Sequence, residues 1–313
     1  MKFATSSIQR KNRQLVVMFE KLRLALEYGP DQWREILELT KKEYEKVQGR
    51  RQDVPLHSLV TVAERLNLNL ESFQSGRIDF PTVAAHHSGN LSYIPEKYLI
   101  AAKSRKRTIV NALNYVDTFI GWERRLFVMR DVQIHEPALV NLNENVNLNL
   151  ARDVYGSLEK AGFGKDVFFS IGAYSVITNH GSALQKELSL LDTVLDIYEQ
   201  TFEKHITFFE ENCKYRIFEA NSSVCVVDCY PNPDVSEALR VTKLGSKNIC
   251  HGKRGIMAST PQYAGLGYAE VEETKCIHDG NPYCRFVIDY SRLNRCKNKD
   301  NVLPLSQQRR ASV

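Results

Sequence analysis

Apolar residues recur at helical spacing from residue 15 onward, and strand-like alternation enters only after residue 213. Residues 15–28, LVVMFEKLRLALEY, keep one apolar face and stop at Gly29-Pro30, a pair that punctuates helices. The pattern then predicts a second helix from Asp31 to Leu39, with Trp33, Ile36 and Leu37 facing inward. A third runs from Lys41 to Gln48, with Thr40 as its N-cap and Gly49 as its stop. Val54-Pro55 opens a fourth, in which Leu56, Leu59, Val60, Ala63 and Leu66 repeat at the amphipathic period, and Leu70 and Phe73 close the small core. Short helices without a strand signal make residues 1–80 an all-α unit.

From Pro81 to Pro95 the residues become small and polar, as in His86-His87-Ser88-Gly89-Asn90, which predicts a linker over 81–96. Helices are expected near 97–120, 147–161 and 166–178, with a long one from Leu184 to Asn212. Strands are expected at 214–219, 223–230, 267–277 and 283–290, with a further helix between 234 and 256. Helices first and an antiparallel sheet later make the domain at 97–292, and the chain as a whole, α+β. Polar residues 293–313 predict a disordered tail, and Arg309-Arg310-Ala311-Ser312 within it has the form of a basophilic kinase site.

Composition narrows the class. The 313 residues carry a formal charge of +5, too mild an excess to require a polyanion. The first residues lack an apolar signal segment and no apolar run approaches the roughly 20 residues of a membrane span, so a cytoplasmic protein without membrane contact is expected. Seven cysteines, an odd number, then read as buried thiols or metal ligands before disulfides.

Residues 47–73 resemble the second half of phage-repressor (Cro-like) helix-turn-helix domains, with Gly49, Pro55, Leu59, Ala63, Leu66 and Leu70 at matching positions. The resemblance implies double-stranded DNA as partner, with the helix 41–48 in the major groove. Lys41, Lys42, Lys46, Arg50 and Arg51 outnumber Glu43 and Glu45 there and suit phosphate contact, while Tyr44 and Gln48 would reach base edges. One copy offers few contacts, so a homodimer on a two-fold site is expected.

The densest chemistry lies between Val271 and Tyr290. Two strand-like halves flank Asp279-Gly280-Asn281-Pro282, so a symmetric hairpin sets Cys276 opposite Cys284, close enough to share one tetrahedral metal such as zinc. This segment resembles the 4-vinyl-reductase-like sensor domain of bacterial regulators that respond to phenols and related aromatics. Its pattern, Glu-X-X-Cys-X7-Cys with a cysteine upstream, falls on Glu273, Cys276, Cys284 and Cys250, and the match runs from Cys250 through Phe286. The resemblance implies that these four side chains hold a structural zinc ion. A regular strand would put Glu270, Glu272 and Cys276 on one face and Glu273 on the other, so this ligand set requires a bulge just before Cys276. His278 and His251 are the alternatives for the fourth position. Cys213, Cys225 and Cys229 read as core, and Cys296 as exposed.

The same resemblance implies a small apolar or aromatic ligand enclosed between helices and sheet, with Phe168, Phe169, Tyr174, Phe202, His205, Phe208, Phe209 and Tyr263 as candidate lining. No tryptophan follows Trp122, which counts against a phenol. An enzyme is not expected. Gly162-Phe163-Gly164-Lys165 lacks the other residues of a phosphate loop, no G-x-S-x-G or H-E-x-x-H occurs, and a metal with four protein ligands leaves no position for water. The expected function is therefore a ligand-responsive, DNA-binding transcriptional regulator. The alternative is a dimeric interaction or tethering protein, since the sensor fold also resembles vesicle-tethering subunits.

Overall fold

The computed structural model describes residues 2–293, with side chains from residue 11 onward. Contacts divide the chain into two compact units, one made of the residues up to Leu99 with Ile120–Leu142, the other of Ile100–Phe119 with the residues from Asn143. The class is α+β, and the strands fall in the second unit.

The first unit begins with α1 (Lys2–Ala25), α2 (Pro30–Ile36), α3 (Lys41–Gln48), α4 (Leu56–Arg65), α5 (Leu70–Ser75) and α6 (Phe80–His87). Local chemistry sets these boundaries. Pro30 stands at the first position of α2, where its missing N–H costs nothing. Thr40 and Glu43 form a reciprocal capping box on α3, Thr40 Oγ1 accepting from Glu43 N at 3.3 Å and Glu43 Oε2 from Thr40 N at 2.9 Å. The core gathers around Phe19, whose ring meets Trp33 edge-on at 6.1 Å and Phe73 at 5.8 Å. Burying each such side chain contributes about 1.5–3 kcal/mol, so Phe19→Ala would cost roughly 3–5 kcal/mol.

Three expectations are corrected here. The first helix reaches back to Lys2, through a polar stretch that carries no apolar stripe. The stretch expected as a linker over 81–96 is instead part of the unit, because Asp79 caps α6 by accepting from Thr82 N at 3.0 Å and buries Thr82 and Val83 in the core. The unit also extends past residue 80, since α7 (Lys106–Phe119) belongs to the second unit and α8 (Trp122–Val132) returns to the first. Arg130 Nε bonds Asn67 Oδ1 at 2.6 Å and Asn69 Nδ2 bonds the Phe127 carbonyl at 2.9 Å, tying α8 to the loop before α5.

In the second unit β1 (Ser104–Arg105) pairs with β2 (Asn145–Val146), and α9 (Leu148–Lys160), α10 (Lys165–Ala173) and α11 (Ser175–Thr178) follow. The helix expected from Leu184 to Asn212 is broken into α12 (Ala183–Ser189), α13 (Val194–Gln200), a π-helical turn at Thr201–His205 and α14 (Ile206–Phe209). Thr193 makes the break, accepting from Asp196 N while Asp196 accepts from Thr193 N, both at 3.1 Å. Strands β3 (Cys213–Ala220) and β4 (Val224–Pro231), helices α15 (Pro233–Ala238) and α16 (Lys247–Ser259), and strands β5 (Glu270–Lys275) and β6 (Cys284–Asp289) complete it. The sheet is antiparallel in the order β3-β4-β6-β5. Helix α16 lies against α10 with almost no gap. A Cβ at Gly172 would stand 1.9 Å from the Gly252 carbonyl oxygen, and one at Gly255 1.9 Å from that of Phe169, so glycine is required at both positions. The residues of the expected tail from 294 onward, Cys296 and Arg309 to Ser312 among them, lie outside the described residues.

Candidate functional site

One row of register partners crosses three strands of the sheet. Tyr215 on β3 pairs with Cys229 on β4, and Cys229 with Cys284 on β6. On β5 the register shifts between Glu273, which opposes Phe286, and Lys275, which opposes Arg285. Thr274 is thus the extra residue of a bulge, and Cys276 follows directly after the strand. Because Phe286 and Cys284 share the buried face of β6, Glu273, the partner of Phe286, shares it too, and Cys276 is buried in the same core. The bulge that the ligand set requires is therefore present. Helix α16 contributes Cys250 and Lys253, which three-residue spacing places on one helix face.

At one end of this row Cys250, Glu273, Cys276 and Cys284 bring their ligand atoms within 4.8 Å of one another. Cys250 Sγ stands 3.8 Å from Cys284 Sγ and 3.8 Å from Cys276 Sγ. Ligands about 2.3 Å from a common centre at tetrahedral angles stand about 3.8 Å apart, so the sulfur spacing fits a zinc-sized tetrahedral ion. All three cysteines are buried. Hydrogen bonding among the sulfurs, first from Cys250, holds Cys276 down at about 7, while its bonds to Cys276 and Cys284 push Cys250 well up. Glu273 Oε2 meets Lys247 Nζ at 3.2 Å, whereas Oε1 is buried with no hydrogen-bond partner. An orphaned carboxylate oxygen beside three thiols is the donor set of a metal ion, and these four residues could hold one. His251 and His278 stand outside the cluster.

Comparison with known proteins adds little to this geometry. No protein-family model matches the chain, and no curated protein matches it. Among solved structures it is similar to H-NOX proteins. The Fe(II) unliganded protein from K. algicida shares 13% identity over 59% of this chain and 95% of that chain, at a TM-score of 0.43. The Fe(II)NO form from S. oneidensis shares 10% over 59% and 98%, also at 0.43. At such scores the likeness establishes neither a shared fold nor a shared ligand.

At the other end of the row the reading of Cys213 and Cys229 as plain core needs amending. Lys253 Nζ lies 3.3 Å from Cys213 Sγ, 3.5 Å from Cys229 Sγ and 2.9 Å from Glu210 Oε1, and stands over the Tyr215 ring at 5.1 Å. Tyr215 donates to the same Glu210 oxygen. Burial by itself would raise Glu210, but the Lys253 charge and the Tyr215 hydroxyl outweigh it and hold this carboxyl below its ordinary value. The cluster was hidden in the sequence because its members come from α16, β3, β4 and the residue after α14. Cys225 is core, as expected.

Beside this cluster the second unit encloses a cavity of about 140 Å³. Phe202, His205, Phe209 and Tyr263 line it, as the sequence suggested. The π-helical turn carries the first two of these, and such turns recur at functional sites. Phe168, Phe169, Tyr174 and Phe208 do not line it. Phe168 is core, stacked on Tyr155 at 5.3 Å, and Phe169 packs on the core of the sheet. Tyr174 joins Tyr115 and Phe119, and Phe208 is half exposed under Arg105. Helical spacing selects a face but does not say which neighbour that face meets. Arg107, Asn111, Asn179, Glu210, Tyr215 and Lys253 also line the cavity, and no spacing along the chain links these polar residues in the sequence.

On α3 the residues divide by exposure. Lys41, Lys42, Lys46, Arg50 and Arg51 are exposed, as phosphate contacts must be. Tyr44 and Gln48 are half buried, and both donate to Glu20 Oε1, at 3.3 and 2.5 Å. These two are engaged within their own unit. Among the described residues no helix is long and apolar enough to cross a membrane.

Proposed function

We propose that this chain is a cytoplasmic, ligand-responsive transcriptional regulator, a homodimer whose helix-turn-helix units bind double-stranded DNA and whose larger unit senses a small apolar or aromatic molecule. In this reading Cys250, Glu273, Cys276 and Cys284 hold a structural zinc ion. The observation that carries it is the 3.8 Å spacing of the sulfurs beside an orphaned Glu273 oxygen. Zinc bound there would supply charge neutralisation and a cross-link between α16 and the β5–β6 hairpin, and four protein ligands leave it no open position for chemistry. The aromatic-lined cavity supports the sensing role, and the exposed lysines of α3 with Arg50 and Arg51 just after it support the DNA role.

Native mass spectrometry together with elemental analysis tests the sensor half, the expected result being two chains with about one zinc each. A metal-free monomer that stays folded would overturn it. Duplex binding across a salt series tests the other half. Lys41→Gln with Lys46→Gln should flatten the log–log salt slope by about two units if both contact phosphate. Unchanged binding would favour the alternative, a dimeric interaction or tethering protein. The engagement of Tyr44 and Gln48 with Glu20 is the observation in favour of that alternative.

A further inference from the structure

The polar groups around the 140 Å³ cavity nearly all satisfy one another. Lys253 pairs with Glu210, and His205 Nε2 stands 3.3 Å from Glu187 Oε2. Asn111 donates to the Ile171 carbonyl and accepts from Thr178. Asn179 donates to the Tyr263 hydroxyl, which in turn donates to the Ser175 carbonyl. His205 Nε2 makes no hydrogen bond despite its carboxylate neighbour, and Arg107 lacks even such a neighbour. Its guanidinium bonds only Asn179 Oδ1, from Nη1 at 3.3 Å, while Nε is buried with no hydrogen-bond partner and no carboxylate among the described residues pairs with it. The nitrogens left over, Nε and Nη2, form one edge of the guanidinium fork, the edge that takes a carboxylate side-on through two parallel bonds. Arg107 is also the second residue of α7, a 14-residue helix, so the positive end of the helix adds to the local potential.

From this unmatched donor edge in a largely apolar chamber we infer that the ligand is a small monocarboxylic acid of single-ring size, its carboxylate on Arg107 and its apolar body against Phe202, Phe209, Ile256 and Met257. The size follows from the volume, since a cavity of roughly 150 Å³ in another protein accommodates benzene. A neutral hydrocarbon would fill the chamber but leave the buried Nε donor unmatched. The inference rests on the proposed sensing role of the cavity and adds the chemical class of what it senses.

Benzoate and toluene serve as probes, titrated by calorimetry into the full chain and into Arg107→Gln. Wild-type protein should bind benzoate about tenfold to a hundredfold more tightly than toluene, the margin of a charge-assisted pair. Arg107→Gln should remove that margin and leave toluene within about twofold. Equal binding of the two probes to wild type, or equal weakening of both in the variant, would overturn the acid assignment while the cavity reading stands. Binding of neither probe to wild type would overturn both. The wild-type comparison decides by itself if the variant does not fold.

Discussion

The two ends of the Tyr215–Cys229–Cys284 row meet the same electrostatic problem with different means. Each collects buried sulfur atoms and a buried carboxylate under the same face of α16. At the Lys253 end the helix brings its own cation, and the ammonium touches both thiols and Glu210. At the Cys250 end, one helical turn earlier, the helix brings a third thiol instead, and the nearest ammonium, Lys247, reaches Glu273 from the half-exposed rim. Burying sulfur and carboxylate together is tolerable only when a positive charge is shared among them. A corner with a built-in cation is complete as folded, whereas a corner without one could hold an ion. That contrast is a stronger reason to read the cysteine cluster as a metal centre than the count of its cysteines.

The largest expected effect falls at the end proposed to hold an ion. Cys276→Ser should lower bound metal from about one per chain toward none and destabilise the second unit by at least about 4–5 kcal/mol, as loss of a structural metal does. Elemental analysis and denaturant unfolding measure the two quantities. A variant that loses metal without losing stability would show that the ion is incidental to the fold.

At the other end, Lys253→Met removes the cation and strands Glu210, whose side chain is only 13% exposed. The expected cost is about 3–5 kcal/mol, the penalty of an uncompensated buried charge. Adding Glu210→Gln should recover part of that loss, and metal content should stay unchanged throughout. If Lys253→Met also emptied the metal site, the two ends would not be separate devices.

The Lys253 end has a signature in acid. Glu210 titrates below its ordinary value in the folded chain, so its contribution is fully present above the unfolded value near 4.3 and is lost as pH falls through the lower folded value. Wild type should therefore exceed Glu210→Gln in stability at pH 7, and the gap should close below about pH 4. Thermal unfolding of the pair from pH 7 to 3 measures this, and a gap that widened in acid would contradict the pairing with Lys253. Referring each measurement to the variant at the same pH removes the contribution of metal release, which both chains share.

How much of this was legible in the residues depended on distance along the chain. Cys276 and Cys284 flank a turn, Asp279 to Pro282, that announces its own centre, so their convergence could be argued from the hairpin's symmetry, whereas Glu273, and with it the need for a bulge just before Cys276, followed from the resemblance to the sensor family. The capping box of Thr40 and Glu43 was local in the same way. The Lys253 cluster and the Arg107 edge were not, because each joins residues separated by long stretches of chain, and no periodicity records which helix face meets which strand. The expected linker failed for another reason. Its small polar residues conceal a proline-started helix capped by Asp79, in which burial falls on Thr82 and Val83, too few apolar positions to register as a stripe.

The smallest effect is the most discriminating, because it compares like substitutions at the two ends. Cys213→Ser replaces one sulfur beside Lys253 with a hydroxyl that can still accept from the ammonium, and Cys229 and Glu210 keep their own contacts. The net worth of one such hydrogen bond is about 1 kcal/mol, so the loss should not exceed that, and metal content should not change. The chemically identical exchange at Cys276 deletes a ligand from a set that has none to spare. If the two serines cost the same, the corners would be equivalent pockets of buried thiol, and the assignment of an ion to one of them would fail with the comparison that supports it.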